Sequence, residues 1–492
     1  MRQYILVILV ILVIFAIQAQ SAPFFNIKDF GAKGDGKTID SPSINSAIDA
    51  ASQAGGGTVI FPAGTYASYS IRLKSNITLQ LEAGSVLLAA TAENGNGYDA
   101  AESNESQQYQ DFGHSHWHNS LVWGENLDNV TICGQGLING AGLNRGDKKA
   151  IETGVGNKAI SLKLCRNVIL RDIKLLKCGH FALLATGVDN LTIDNLIIDT
   201  NRDGLDIDCC RNVRVSNCTV NSPGDDAIVL KACYGLGFFR NTENVTITNC
   251  FVSGYDQGSV LNGTFLRNEP QAPDKDFATG RIKLGTESSG GFKNIAITNC
   301  VFQNCRGLAL ETVDGGSLED IVISNITMRD IGNSPIFLRL GARMRSPEGT
   351  PVGTMKRITI DNVNVYNADS RYGCLISGLP DHCIEDVKLS NIRILFKGGG
   401  TKEQALLVVP ENEKKYPEPS MFGIIPSSFL YIRHAKNVEL NNVEISFITP
   451  DYRPSIQLED VKGSVFKNVK INQPEAPKLF VLKGSDKPVV IK

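Results

Sequence analysis

The densest carboxylate chemistry in this chain sits in two short segments, TNRDGLDID at 200–208 and NSPGDDAIV at 221–229. Asp203 follows Asn190 at the same interval at which Asp225 follows Asn212. Those asparagines belong to a recurring motif, so the two aspartates are expected at the same phase of consecutive repeats, with Asp226 alongside. Stacked strands in a sheet lie about 4.8 Å apart. Like charges at that spacing raise at least one pKa, so one carboxyl keeps its proton while others ionise. Such a set can protonate a leaving oxygen and activate a water, as glycosidic hydrolysis requires. Two other readings suit the same residues. Aspartates close turns through local hydrogen bonds, for which Asp203-Gly204 is apt, and carboxylates bind calcium. Asp206 and Asp208 read as structural.

The same interval, counted backwards, collects cations. Lys231 precedes Asn244 by it, and Arg281 precedes Asn294 by it. Lys283 follows two positions later, on the same side of a strand. A basic cluster beside an acidic centre points to an anionic ligand, since arginine can grip a carboxylate with two parallel hydrogen bonds. Charge balance for the aspartates is the plainer alternative.

The elements that position these residues are short strands. DNVTI begins at Asp128, RNVIL at Arg166, DNLTI at Asp189, RNVRV at Arg211 and ENVTI at Glu243, and the pattern continues to KNVKI at Lys467. The motif asparagines recur at intervals from 22 residues, Asn190 to Asn212, up to 50, Asn244 to Asn294. β-Branched runs between polar or glycine turns are strand material. Strands this short must stack to be stable. The expectation is an all-β fold, a right-handed single-stranded parallel β-helix, with longer intervals leaving as loops. A leucine-rich solenoid fits less well, because no leucine framework or helical return recurs. Ser41-Pro42 before Ile44, Ala47, Ile48 and Ala51 predicts a short N-terminal capping helix, with Ser41 as N-cap and Gly55-Gly56-Gly57 ending it.

Residues 1–22 read as a signal peptide: Arg2, an apolar run from Ile5 to Ile17, then Ala19, Ser21 and Ala22. A membrane anchor is the alternative, but the run is short for a span of about 20 residues. The mature chain, 23–492, is expected to be one exported domain, periplasmic or extracellular, monomeric and without a membrane span. The net charge of −2 lacks the basic excess of a nucleic-acid binder. Twelve cysteines show no zinc or redox spacing, and mostly buried free thiols are expected, with a disulfide as the alternative.

The chain resembles the polygalacturonase-type pectin hydrolases of glycoside hydrolase family 28. The likeness runs from FNIKDFGAKGDGKTIDSPSINSAIDAASQAGGGTVIFPAGTY to at least residue 345. The family's Asn-Thr-Asp motif is similar to Asn201-Arg202-Asp203, with arginine replacing threonine. Its Gly/Gln-Asp-Asp motif matches Gly224-Asp225-Asp226, and its Arg-Ile-Lys motif matches Arg281-Ile282-Lys283. The resemblance implies that Asp225 is the general acid and that Asp203 and Asp226 activate water. It further implies inversion, no metal or other cofactor, and uronate contacts from Arg281 and Lys283. The partner would be an acidic plant cell-wall polysaccharide or oligosaccharide.

The family's Gly-His-Gly histidine is missing. Gly254-Tyr255-Asp256-Gln257-Gly258 stands there, and Gln257 follows Asn244 at the interval that separates Asp203 from Asn190. Tyr255, Asp256 and Gln257 are therefore expected substrate contacts, alongside Lys231. The departure implies a divergent branch acting on another uronate- or rhamnose-containing linkage, or cutting from a chain end. His114, His116 and His118 alternate around Trp117, which suits a loop facing substrate, a metal site or plain packing. His180 reads as a buried structural histidine. A rhamnogalacturonan-type hydrolase, a non-catalytic β-helical glycan binder and a calcium-dependent pectate lyase are the competing functions.

Overall fold

The computed structural model describes residues 23–491, apart from 94–96, 111–112, 147–151, 269–271, 273, 275 and 477. The expected signal segment, 1–22, lies outside the described residues. From Phe24 to Ile491 each strand pairs in parallel with the strand one coil away. The result is the expected all-β parallel solenoid, closed at its N-terminal end by a helix. Among the described residues, no helix is long and apolar enough to cross a membrane.

The motif asparagine is what makes the coils repeat. Asn167, Asn190, Asn212, Asn244 and Asn294 all have φ between 55° and 59°. Asparagine tolerates this left-handed backbone better than most residues. Each side-chain amide also donates to the asparagine one coil below: Asn190 to Asn167 at 2.9 Å, Asn212 to Asn190 at 3.2 Å, Asn244 to Asn212 at 3.1 Å and Asn294 to Asn244 at 2.8 Å. One residue type thus bends the chain and bonds the layers. The β-branched neighbours, such as Val213 and Val215, fill the interior.

Helix α1 (Ser41–Gln53) buries Ile44, Ala47, Ile48 and Ala51 over the first coil. Its N-cap is Asp40 rather than Ser41. The Asp40 carboxylate instead accepts from the amides of Lys33 (2.7 Å) and Gly34 (3.0 Å), holding the preceding loop. Every cysteine is a free thiol, and only Cys383 is partly exposed.

Four strands carry the site: β1 (Phe181–Thr186), β2 (Asp203–Asp208), β3 (Ile228–Ala232) and β4 (Ile282–Ser288). Leu183, Leu205, Ile207, Ile228, Leu230, Ile282 and Leu284 belong to the apolar interior. Asp206, Val229 and Lys283 lie in register across the sheet. This outer face is charged yet covered, which is costly unless the charges are paired or used.

Candidate active site

Asp203 opens β2, and Asp225 and Asp226 lie in the turn just before β3. Oxygens of the three carboxyls lie within 4.8 Å of one another. Up to Asp199 and Asn221 the coils match at an offset of 22, but Leu205 faces Ile228, an offset of 23. The extra residue corrects the expected phase: Asp203 stacks over Asp226, with the Gly204 amide donating to the Asp226 carbonyl at 3.0 Å. Asp225 is pushed outward, and its side chain is 25% exposed against 4% for each neighbour. Gly224 permits this crossing, because a Cβ there would lie 2.6 Å from the Asn201 carbonyl oxygen.

Each carboxyl has its own electrostatic setting. Burial, then the negative charge of Asp225, raises Asp203 well above the usual carboxylate range. Burial also opposes ionisation of Asp226, but Lys283 and Arg281 outweigh it and hold Asp226 below the ordinary value. Arg281 Nε donates to Asp226 at 2.9 Å, and Lys283 Nζ lies 3.3 Å from its other oxygen. Asp225 pairs with Arg202 Nη2 at 2.9 Å. The same amino group meets His180 Nε2 at 3.2 Å. His180, stacked on Phe181, is held neutral by burial and by Arg202. Arg202, Arg281 and Lys283 thus supply counter-charge to Asp225 and Asp226.

The cleft around them has a volume of about 590 Å³. It is within the range of small-ligand sites. One wall brings His114, whose Nε2 lies 3.1 Å from Asp206. The other brings Tyr416, Glu418 and Met421 from a distant loop. Lys231 lines the cleft but is buried against Asp206 at 2.9 Å and Glu287 at 3.5 Å. It faces Asp208 in the sheet, whereas Arg281 aligns with Ala227, whose amide bonds to the Arg281 carbonyl at 2.9 Å. The expected common phase of Lys231 and Arg281 fails although their intervals are equal, because β3 ends at Ala232 and the next strand starts only at Asn241, whereas β4 runs to Ser288 and the next strand starts at Gly291.

Tyr255, Asp256 and Gln257 do not line this cleft. The chain leaves the coil after Ser253 and rejoins it at Ile282, so the asparagine spacing loses its meaning between them. The buried Tyr255 ring packs against Phe265 at 5.3 Å, with Arg267 over its face. The Asp256 carboxylate accepts the Asn268 amide at 2.7 Å, pinning the insertion. Gln257 is partly exposed within the same insertion.

The three alternating histidines diverge. His114 meets Asp206, His116 meets the Glu102 carbonyl at 2.8 Å, and His118 meets Glu125 at 2.9 Å while stacking on Trp123. They do not share a metal site. The Asn-Thr-Asp likeness treats Arg202 as a replacement, yet its guanidinium pairs with Asp225. His180 is buried as expected, with its Nε2 3.8 Å from Asp203. Glu418 gave no spacing signal at all.

Comparison with known proteins agrees with this architecture. Residues 24–167 match the family model described as Rhamnogalacturonase A/epimerase, pectate lyase-like, and 112–269 match the right handed beta helix region. A probable polygalacturonase of Vitis vinifera is 26% identical over 387 residues, 70% of this chain and 74% of the relative. An exo-poly-alpha-D-galacturonosidase of Dickeya chrysanthemi is 25% identical over 348 residues, 64% of this chain, and the chain spans only 56% of that relative's length. The exopolygalacturonase of Thermotoga maritima shares the fold, with a TM-score of 0.61 at 20% identity over 87% of this chain and 93% of that one. By sequence and by fold, the chain is similar to β-helix enzymes named for pectic substrates.

Proposed function

We propose that this protein is an exported glycoside hydrolase that cleaves uronate-containing pectic polysaccharides or oligosaccharides, in a branch related to the polygalacturonases. The observation that carries the reading is the trio Asp203, Asp225 and Asp226, with oxygens within 4.8 Å in a cleft that Arg202 also lines. The names of the relatives support the substrate class.

Asp225, the most exposed carboxyl, reaches the glycosidic oxygen and donates the proton. Asp226, kept ionised by Lys283 and Arg281, orients and deprotonates water with Asp203. General acid and base groups typically contribute about 10² to 10⁴ in rate. Inversion follows from the family likeness. Retention would instead need one carboxylate to attack the sugar directly. Proton NMR of the first-formed anomer separates the two. Action at a chain end is the expectation, so early products should be monomers or dimers.

No step calls on a metal. Activity should survive a chelator, and the product should lack the ultraviolet-absorbing double bond that a lyase leaves. Failure to hydrolyse any uronate-containing pectic oligosaccharide would remove this reading in favour of a glycan-binding role.

A further inference from the structure

Arg281 and Lys283 are the obvious candidates to grip a substrate carboxylate, yet both are already occupied. Arg281 presents its paired amino groups to Glu418, Nη1 to Oε1 at 3.1 Å and Nη2 to Oε2 at 2.7 Å. That is the two-point geometry a carboxylate ligand would use. Its Nε is spent on Asp226 at 2.9 Å. Glu418 is itself fixed by Arg306 Nη1 at 2.9 Å and by the Asn333 amide at 2.9 Å. Lys283 meets Asp226, Glu311 at 3.5 Å and the Tyr416 hydroxyl at 3.2 Å. Arg281, Lys283, Glu311 and Glu418 are all buried.

Exposure then separates the lysines and arginines that line the cleft. Among the described residues, their side-chain exposures are 26% for Arg202, 7% for Lys231, 4% for Arg306, 3% for Arg281 and 2% for Lys283. Arg202 is also the least committed. Its Nη2 serves both Asp225 and His180, and its Nε is buried without a hydrogen-bond partner. Its neighbour Asp225 is the carboxyl that faces the cleft.

We propose that Arg202 is the residue that binds the substrate's carboxylate, and that Glu418, a carboxylate of the chain itself, permanently fills the corresponding place on Arg281. This rests on the uronate reading above. The two-point face of Arg281 is filled by Glu418, so the subsite there accepts an uncharged sugar, while the uronate lies against Arg202. When the ligand takes the Arg202 amino group, Asp225 loses its ion-pair partner at 2.9 Å. Recognition of the acid group is thereby coupled to the surroundings of Asp225.

The test is calorimetric binding of digalacturonic acid and of its methyl ester, with turnover assayed separately. The wild type should bind the acid roughly ten- to a hundredfold more tightly than the ester, as a charge-assisted contact implies. In Arg202→Gln the preference should fall to within about threefold, and Arg202→Lys should restore part of it through its point charge. Circular dichroism would establish that both variants keep the fold. An acid preference that persists in Arg202→Gln, or no preference in the wild type, overturns the proposal. Acid-selective binding without turnover would retire the hydrolase reading but leave this one. Turnover with selectivity indifferent to residue 202 would do the reverse.

Discussion

Three chemically identical carboxyls acquire three roles from what lies next to them. Burial raises the pKa of Asp203, two cations lower that of Asp226, and an outward turn exposes Asp225. Replacing Asp225 by Asn preserves shape but removes the proposed proton donor. The expected result is a loss of about 10²- to 10⁴-fold in kcat with an unchanged circular dichroism spectrum. Glu311, buried beside Lys283, offers a separate measurement. Burial lifts its carboxyl from the ordinary 4.5 to about 7. Between those values the folded state holds a proton that the unfolded state has released. Stability contributed by this group is therefore complete below pH 4.5 and is lost as pH rises through about 7. Glu311→Gln should flatten that part of the melting-temperature profile, and an unchanged slope would show that Glu311 is not the group responsible.

At the scale of elements, the asparagine turns set the phase and the loops set the chemistry. Asn212→Ala would place alanine at a φ of 57° and break the amide bonds to Asn190 and from Asn244. The expected cost is about 1–3 kcal/mol, read from urea unfolding. Glu418→Ala would leave Arg281 and Arg306 buried without their shared partner. Loss of about 3–5 kcal/mol is expected, against little change if the loop were only resting there. The coil phase was legible in the sequence because one residue type both bends and bonds each layer. Legibility stopped where the chain leaves the coil. One extra residue before Ile228 moved the stacking partner of Asp203 from Asp225 to Asp226. The insertion after Ser253 carried Tyr255, Asp256 and Gln257 away from the cleft. Glu418 meets Arg281 across 137 residues, and no local pattern foreshadows a contact made by a loop folding back over the sheet.

Across the whole molecule, stacking gives a rigid floor and the excursions build a cleft upon it. The floor is readable as a repeat, whereas the walls near His114 and Tyr416 are known only once the loops are placed. A scaffold of this kind hosts several chemistries, so the fold alone does not name the reaction. The central claim is that Asp225 drives hydrolysis of a uronate-containing pectic chain. It is tested most directly by digesting defined pectic oligosaccharides in ¹⁸O-labelled water, with wild type and Asp225→Asn compared by mass spectrometry. The account predicts saturated products carrying one ¹⁸O at the new reducing end from the wild type, and almost none from the variant. Unsaturated products without label, or equal cleavage by Asp225→Asn, would contradict it.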